Sequence, residues 1–195
     1  MKTGKIVKVL LTAATAAGML AGCGSKTDTD TFRFASELDI QGMDTTVVDD
    51  GMSFNAVHAI TDGLTTLNNK GKTVGAIAKS WDVSDDGKTY TFHLRDAKWS
   101  NGDKVTANDF VYSWRKIIKN AGNYAYMLGD EGASVKNADK LIDLGTNATD
   151  EQMATLGVTA KDDKTLVVEL NNKVPYFTDL MAFPCYFPQN QKFVE

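Results

Sequence analysis

The chain has 195 residues, 43% of them hydrophobic and 24% charged, a balance typical of folded globular proteins that excludes a disordered or fibrous chain. Its length allows one domain, or one and a half, with a sizeable core. The formal net charge of −4 argues against nucleic-acid binding, because that function requires a basic face to neutralise phosphates.

Residues 1–22 predict a signal peptide. Lys2, Lys5 and Lys8 precede an apolar run that is too short for a permanent membrane span. The run ends in Leu20-Ala21-Gly22-Cys23, which resembles a lipobox, so we expect the mature chain to begin at a Cys23 that carries a diacylglycerol. Removal of the signal peptide takes away three lysines and no acid, so the formal charge changes from −4 to −7.

The alternative is a plain secretory signal, with Cys23 as an ordinary buried or disulfide-bonded thiol. The only other cysteine is Cys185, near the opposite end of the chain, and we expect it to be a small core residue. Residues 23–30 contain no apolar side chain after Cys23, which predicts a flexible tether.

The folded part begins with an alternating pattern and continues with a helical one. Thr31–Ala35 alternates apolar and polar residues and predicts a first strand. From Ser53 to Leu64, apolar residues recur every three or four positions, which predicts a helix with one apolar face. These apolar residues are Phe54, Val57, Ile60 and Leu64.

Two hairpins are predicted from strict alternation on both sides of short polar turns. The first turns at residues 84–88, and the second turns at Asp162-Asp163 within residues 158–170. The apolar faces of the two hairpins consist of Trp81, Val83, Tyr90, Phe92 and Leu94, and of Leu166, Val168 and Leu170.

Capping residues predict the remaining helices. Thr106 and Asp109 have the spacing of a capping box, Thr149 and Gln152 repeat it, and Pro175 suits the first turn of a helix that ends at Phe183. The apolar stripe that follows Thr106 consists of Phe110, Val111, Trp114, Ile117 and Ile118. We expect a core built around the aromatic residues Trp81, Tyr90, Phe92, Trp99, Phe110 and Trp114. Strand pairs and helices interleave without a βαβ rhythm, which predicts an α+β fold with a mixed or antiparallel sheet.

The sequence contains none of the motifs that are typical of metal-dependent, nucleotide-binding or serine-nucleophile enzymes. His93 lies in an alternating strand, on the face opposite Phe92 and Leu94, so we expect it to face solvent. We expect His58 to be packed or exposed rather than bound to a metal. The carboxylate pairs lie in predicted turns, where aspartate bonds to its own backbone. We therefore expect a protein that is not an enzyme and has no metal or cofactor.

Four segments carry a resemblance to a known family. They are Asp62–Leu64, Ile77–Arg95, Ala97–Gly102 and Val105–Trp114. Their sequences closely resemble the bacterial extracellular solute-binding proteins of family 5, and within it the oligopeptide-binding lipoproteins. Further matches are Val135–Ala138, Gly157–Ala160 and Val174–Phe177.

The resemblance implies the N-terminal portion of a two-lobed clam-shell of the type II periplasmic-binding-protein kind, with a mixed α/β composition. Residues 31–61 would begin the large lobe, domain I. Residues 62–185 would form a small inserted domain, domain II, and residues 186–195 would return to the large lobe. Family members are much longer, so we expect a truncated chain, from a shortened gene, a split gene or a fragment, without most of the ligand cleft.

The resemblance also implies which residues meet a peptide. In the family, an extended segment between the first strand and the first helix lies beside the peptide backbone, where main-chain hydrogen bonds bind without sequence choice. That segment falls on Val48, Asp49, Asp50, Gly51 and Met52. A family tyrosine that faces the peptide falls on Tyr124, for which a core or surface aromatic is the alternative. Asp50 stands where the family often has glycine.

The function implied by the resemblance is that of the substrate-binding subunit of a peptide ABC importer. Such a protein captures extracellular oligopeptides and delivers them to permease subunits. We expect a monomer held by its diacylglyceryl-cysteine on the extracytoplasmic face of the cell membrane, in a Gram-positive organism. With most of the cleft absent, the chain alone should bind peptides weakly or not at all. Two alternatives are a lipid-anchored adhesin or interaction domain, and the non-functional remnant of a gene.

Overall fold

A computed structural model of the chain describes residues 35–36 and 38–195. The predicted signal peptide, Cys23 and the tether at residues 23–30 lie outside the described residues, and only Ala35 of the predicted first strand lies within them. In the described part of the chain, no helix has the length and apolar character needed to cross a membrane.

The first helix, α1, spans Gly51–Ile60 and is shorter at its C-terminal end than the sequence predicts. The Asp50 carboxylate caps it by accepting a hydrogen bond from the Ser53 amide at 2.8 Å. Thr61 already has an extended backbone. The prediction that Leu64 ends the helix is therefore wrong: Leu64 is fully buried beyond it, whereas Ile60 is 72% exposed.

Close packing at Gly63 constrains the course of the chain between the end of helix α1 and Leu64. A Cβ atom on Gly63 would lie 2.6 Å from Cε1 of the Phe187 ring and would also collide with the carbonyl oxygen of Met181. Only glycine lets the chain pass this point. Leu64 is carried from there into the core, and the Thr65 hydroxyl donates to the carbonyl of Thr178 at 2.7 Å.

The strands of the described residues form two antiparallel sheets. β1 (Thr65–Leu67) pairs with β2 (Thr73–Gly75). A second sheet has the order β3-β4-β6-β5, and its strands are β3 (Ala78–Val83), β4 (Thr89–Leu94), β5 (Val158–Asp162) and β6 (Thr165–Glu169). Both predicted hairpins are confirmed, as β3–β4 and β5–β6. The prediction that Val83 belongs to the apolar face is wrong, because it ends the edge strand β3 and is 46% exposed. The antiparallel sheet with separate helices confirms the α+β fold class.

Helix α2, Ala107–Lys119, has the predicted cap and apolar face. The amide of Thr106 donates to the Asp109 carboxylate at 2.8 Å, as the capping box requires. Burial raises the pKa of Asp109 more than its hydrogen bonds lower it. Every residue of the predicted apolar stripe is buried. This helix therefore supplies one wall of the core.

Trp114 connects helix α2 to the segment that follows residue 183. Its side chain is fully buried, and its indole Nε1 donates to the carbonyl of Tyr186 at 2.9 Å. The Trp114 and Tyr186 rings meet edge to face, 5.6 Å apart. The hydroxyl of the preceding residue, Ser113, donates to the carbonyl of Phe187 at 2.7 Å.

The prediction of the aromatic core is right for four of six residues. Tyr90, Phe92, Phe110 and Trp114 are buried. Trp81 and Trp99 are only partly buried against the core. Trp81 lies on the edge strand β3, which has a neighbouring strand on one side only. Trp99 lies in a loop, where its Nε1 donates to the Asp109 carboxylate at 3.3 Å. Three other aromatic side chains are buried in the core although the sequence did not predict it: Phe177, Tyr186 and Phe187.

The remaining helices are short. They are α3 (Ala138–Leu144), α4 (Asp150–Met153), α5 (Phe177–Leu180) and α6 (Gln191–Val194), with 3₁₀ turns at Ala125–Leu128, Gly145–Asn147 and Pro184–Tyr186. The Thr149–Gln152 capping box of α4 is confirmed. The helix predicted to run to Phe183 ends earlier, since the proline that follows Phe183 favours the extended backbone found there.

The buried core extends from Leu64 to Tyr186. It includes Cys185, which is a buried free cysteine, as expected; burial raises the pKa of its thiol well above the usual range. The division into a large lobe and an inserted domain at residues 62–185 stays a prediction.

Candidate functional site

The predicted peptide-binding segment lies at the start of helix α1, and it is only partly extended. Asp50 is extended at its φ of −105° and ψ of 148°, but Gly51 and Met52 form the first turn of the helix. The physical reason is the Asp50 cap, which begins the helix at the next residue. The extended segment is therefore two residues shorter than predicted, and the first-turn amides of the helix follow it directly.

The side chains of this segment differ in exposure. Val48 is buried at 6% exposure, so it anchors the segment in the protein. Asp49 and Gly51 are exposed, and Asp50 and Met52 are partly buried. A Cβ atom on Gly51 would meet nothing within 4 Å. Asp49 and Gly51 thus lie at the protein surface, while the carbonyl of Asp50 is occupied by the amide of Phe54 at 3.1 Å.

Hydrogen bonds hold the two acids of the segment in place. The carboxylate of Asp49 accepts from the side-chain amide of Asn123, which immediately precedes Tyr124. Hydrogen bonds from Ser53 lower the pKa of Asp50, so both the helix cap and its charge persist at neutral pH. The Asp49–Asn123 bond brings the segment and Tyr124 to the same region of the surface.

Tyr124 belongs to a cluster of four aromatic rings, which we call the aromatic cluster. Its ring lies 5.1 Å from Phe54 in an edge-to-face arrangement and 5.4 Å from Phe183. Tyr126 stacks on Tyr124 at 6.0 Å with an interplanar angle of 27°. Phe54 also contacts Phe183 at 5.2 Å. Tyr124 is therefore partly buried against the core, while Tyr126 remains 44% exposed. A role of Tyr124 in facing a peptide stays a prediction.

Three residues of this region were not predicted to belong to the site: Asn123, Tyr126 and Phe183. Asn123 and Tyr126 flank Tyr124 in sequence, so the Asn-Tyr-Ala-Tyr spacing was the available signal. Tyr126 lies in the 3₁₀ turn at Ala125–Leu128, whose tight winding brings its ring over Tyr124. Phe183 gives no such signal, because its contact with Tyr124 is made only by the tertiary fold.

Neither histidine makes a ring contact with the aromatic cluster. His93 points away from the core face of β4, as expected, and its Nε2 lies 2.8 Å from the Asp82 carboxylate on β3. His58 is exposed on α1, with its ring 5.2 Å from that of Phe187; partial burial lowers its pKa. Within residues 38–195, no group of three or more candidate ligands is placed to hold a metal ion.

Comparison with known proteins gives this geometry a family. Residues 72–194 match the model described as "Bacterial extracellular solute-binding proteins, family 5 Middle". The chain belongs to this family. The family 5 chain is 40% identical to the dipeptide-binding protein of Lactococcus lactis subsp. cremoris, over 100% of its own length and 34% of that relative. It is 42% identical to the oligopeptide-binding protein OppA of Bacillus subtilis, over 76% of its length and 26% of that relative.

Solved structures resemble the family 5 chain in fold as well. An oligopeptide ABC transporter substrate-binding domain from Bacillus anthracis matches with a TM-score of 0.75 and 41% identity, over 83% of this chain and 30% of that one. Listeria monocytogenes OppA bound to peptide matches with a TM-score of 0.70 and 39% identity, over 78% and 29%. The family 5 chain thus spans between a quarter and a third of the length of these relatives.

Proposed function

We propose that this chain is part of the substrate-binding component of a peptide ABC importer, which captures oligopeptides outside the cell. The observation that carries the proposal is the 40% identity over the whole chain to a dipeptide-binding protein. The role is one of binding and delivery to permease subunits rather than catalysis. The lysine-led apolar run and Cys23 support a lipid-anchored monomer on the extracytoplasmic face of the membrane.

The site we propose for peptide contact comprises the segment Val48–Met52 and Tyr124. The exposed backbone at Asp49 and Gly51 is available for main-chain hydrogen bonds, which bind peptides independently of their sequence. Tyr124 supplies a rigid ring beside it, and aromatic rings bury large areas at a small entropy cost. Val48 contributes by holding the segment rather than by touching the ligand.

Peptide affinity of the chain alone should be low. A ligand pocket typically covers most of its ligand's surface, and the segment and Tyr124 offer one wall. Hydrogen bonds that replace bonds to water add little net affinity, and immobilising a flexible peptide opposes binding. We expect dissociation constants of about 1 mM or weaker, which calorimetry with mixed tripeptides to pentapeptides would measure. Micromolar binding would contradict the expectation that Val48–Met52 and Tyr124 contact a peptide from one side only.

A chimera tests the transport function directly. Residues 23–195 would replace the matching N-terminal part of Bacillus subtilis OppA, and oligopeptide uptake would be measured in cells that lack their own OppA. We expect uptake to be retained and to fall when Tyr124→Ala is introduced. Val83→Ala, an exposed position on the edge strand β3, is the matched control and should leave uptake unchanged. A folded, exported chimera without uptake would overturn the proposal.

A further inference from the structure

Arg115 lies on helix α2 and lines a groove of about 510 Å³ that extends to helix α6. Its side chain is partly buried, and its Nε atom is buried with no hydrogen-bond partner among the described residues. Desolvation lowers the pKa of the guanidinium. A partly desolvated cation without a hydrogen-bond partner is unfavourable. An acceptor bound in the groove would offset the free energy lost by desolvation of the guanidinium.

The two neighbouring lysines already have partners, unlike Arg115. Lys116 Nζ lies 2.8 Å from the Asp44 carboxylate and 2.8 Å from the side-chain oxygen of Gln189. Lys119 Nζ lies 2.7 Å from the Asp150 carboxylate. None of the ion pairs formed within residues 38–195 includes Arg115. Among the three cations that line the groove, Arg115 is therefore the one that makes no ion pair within the described residues.

We propose that this groove is a carboxylate-binding site in which Arg115 is the primary anchor. A guanidinium presents a planar fork of donors that matches a carboxylate in two parallel hydrogen bonds. Tyr112 lines the same groove. Its hydroxyl remains a donor at neutral pH, since burial and nearby negative charges raise the pKa of the phenol. The site goes beyond the proposed peptide capture and does not depend on it.

The surrounding charges favour a carboxylate over a phosphate. Asp150 and Glu195 also line the groove, and their negative charges oppose a dianion more strongly than a monoanion. The carboxylate has two possible sources, an acidic side chain of another polypeptide or the C-terminus of a peptide. Both present the same planar group to Arg115.

Arginine Nε–H signals in a nitrogen–proton NMR spectrum provide the test. The sequence has three arginines, at positions 33, 95 and 115, so substitution assigns each signal. The full chain in non-ionic detergent is titrated with sodium acetate and, at equal ionic strength, with sodium chloride or neutral acetamide. We expect the Arg115 signal to shift saturably with acetate alone, with half-saturation on the order of tens of millimolar.

Arg95 is the matched internal control. Its Nε already donates to the carbonyl of Ala76 at 2.7 Å, and its guanidinium pairs with Asp62 at 3.0 Å, so its signal should not move. An unchanged Arg95 signal also establishes that each variant is folded. Glu195→Gln should tighten acetate binding at least twofold, because it removes a competing negative charge from the groove.

Two capped probes separate the sources of the carboxylate. N-acetyl-glutamate N-methylamide carries only a side-chain carboxylate, and N-acetyl-alanyl-alanine carries only a C-terminal one. Saturable binding of either probe supports the site, and the tighter probe identifies the source. The proposal is overturned if acetate moves the Arg115 and Arg95 signals in parallel, if chloride has the same effect, or if the Arg115 signal stays unchanged throughout.

Discussion

Replacing Trp114 by alanine is the sharpest test of the core arrangement. The side chain is fully buried in helix α2, contacts the Tyr186 ring edge to face and supplies the hydrogen bond to the Tyr186 carbonyl. Truncation therefore removes a large apolar volume and leaves a buried acceptor without its donor.

Two separate terms set the size of the effect. Truncation of a buried tryptophan to alanine costs about 3–5 kcal/mol through lost contacts and the remaining cavity. The orphaned carbonyl of Tyr186 adds about 1–3 kcal/mol. The free energy of unfolding should therefore fall by at least about 4 kcal/mol, which is a large part of the roughly 5–15 kcal/mol that stabilises a typical domain.

Urea unfolding followed by far-UV circular dichroism measures this loss. Trp114→Phe keeps a ring but loses the donor, so its cost should lie between that of Trp114→Ala and zero. Val83→Ala, at an exposed position, should stay within about 0.5 kcal/mol of the parent. A cost below about 1 kcal/mol for Trp114→Ala would refute the assignment of this side chain to the core.

Three further predictions concern other parts of the molecule. Cys23→Ala should release the chain from membranes on fractionation, and equal retention of parent and variant would contradict the lipid anchor. Burial alone would raise the pKa of Asp44, but the ammonium of Lys116 and neighbouring donors outweigh it and hold the pKa at about 2. The stability from this carboxylate is therefore present above about pH 4 and lost as the pH falls through about 2. In Asp44→Asn, the free energy of unfolding measured at a series of pH values should change less across that range than in the parent. Gly63→Ala should lower the melting temperature, because its Cβ would collide with the Phe187 ring; an unchanged value would mean that the ring moves aside freely.

Local signals were enough to predict helix α2 and both hairpins. The Thr106–Asp109 capping box and the apolar stripe lie within one stretch of sequence, so helix start and buried face follow from them directly. Turn residues and alternation likewise determine where β3 and β4 begin and end. Each of these elements depends on residues that are close together in the chain.

Elements whose limits depend on distant residues were predicted less well. Helix α1 ends at Ile60, and the chain then passes Phe187 at Gly63, a contact that no local pattern contains. The same holds for the candidate site, where Tyr124 was identified from family resemblance but its contact with Phe183 was not. A capping aspartate at position 50 was visible in the sequence, and its effect on the extended segment could have been foreseen.

The contact of Gly63 with Phe187 brings the entry and the exit of the core segment side by side. Proteins tolerate insertion of a unit whose two ends are adjacent, because the host chain is interrupted at one point only. The chain therefore enters and leaves this segment at one point, which is the geometry that the predicted inserted domain at residues 62–185 requires. Substitutions at this crossing are coupled, since a larger residue at position 63 requires a smaller side chain at position 187. The contacts of Asp44 with Lys116 and of Asp49 with Asn123 couple further positions on the two sides of the crossing.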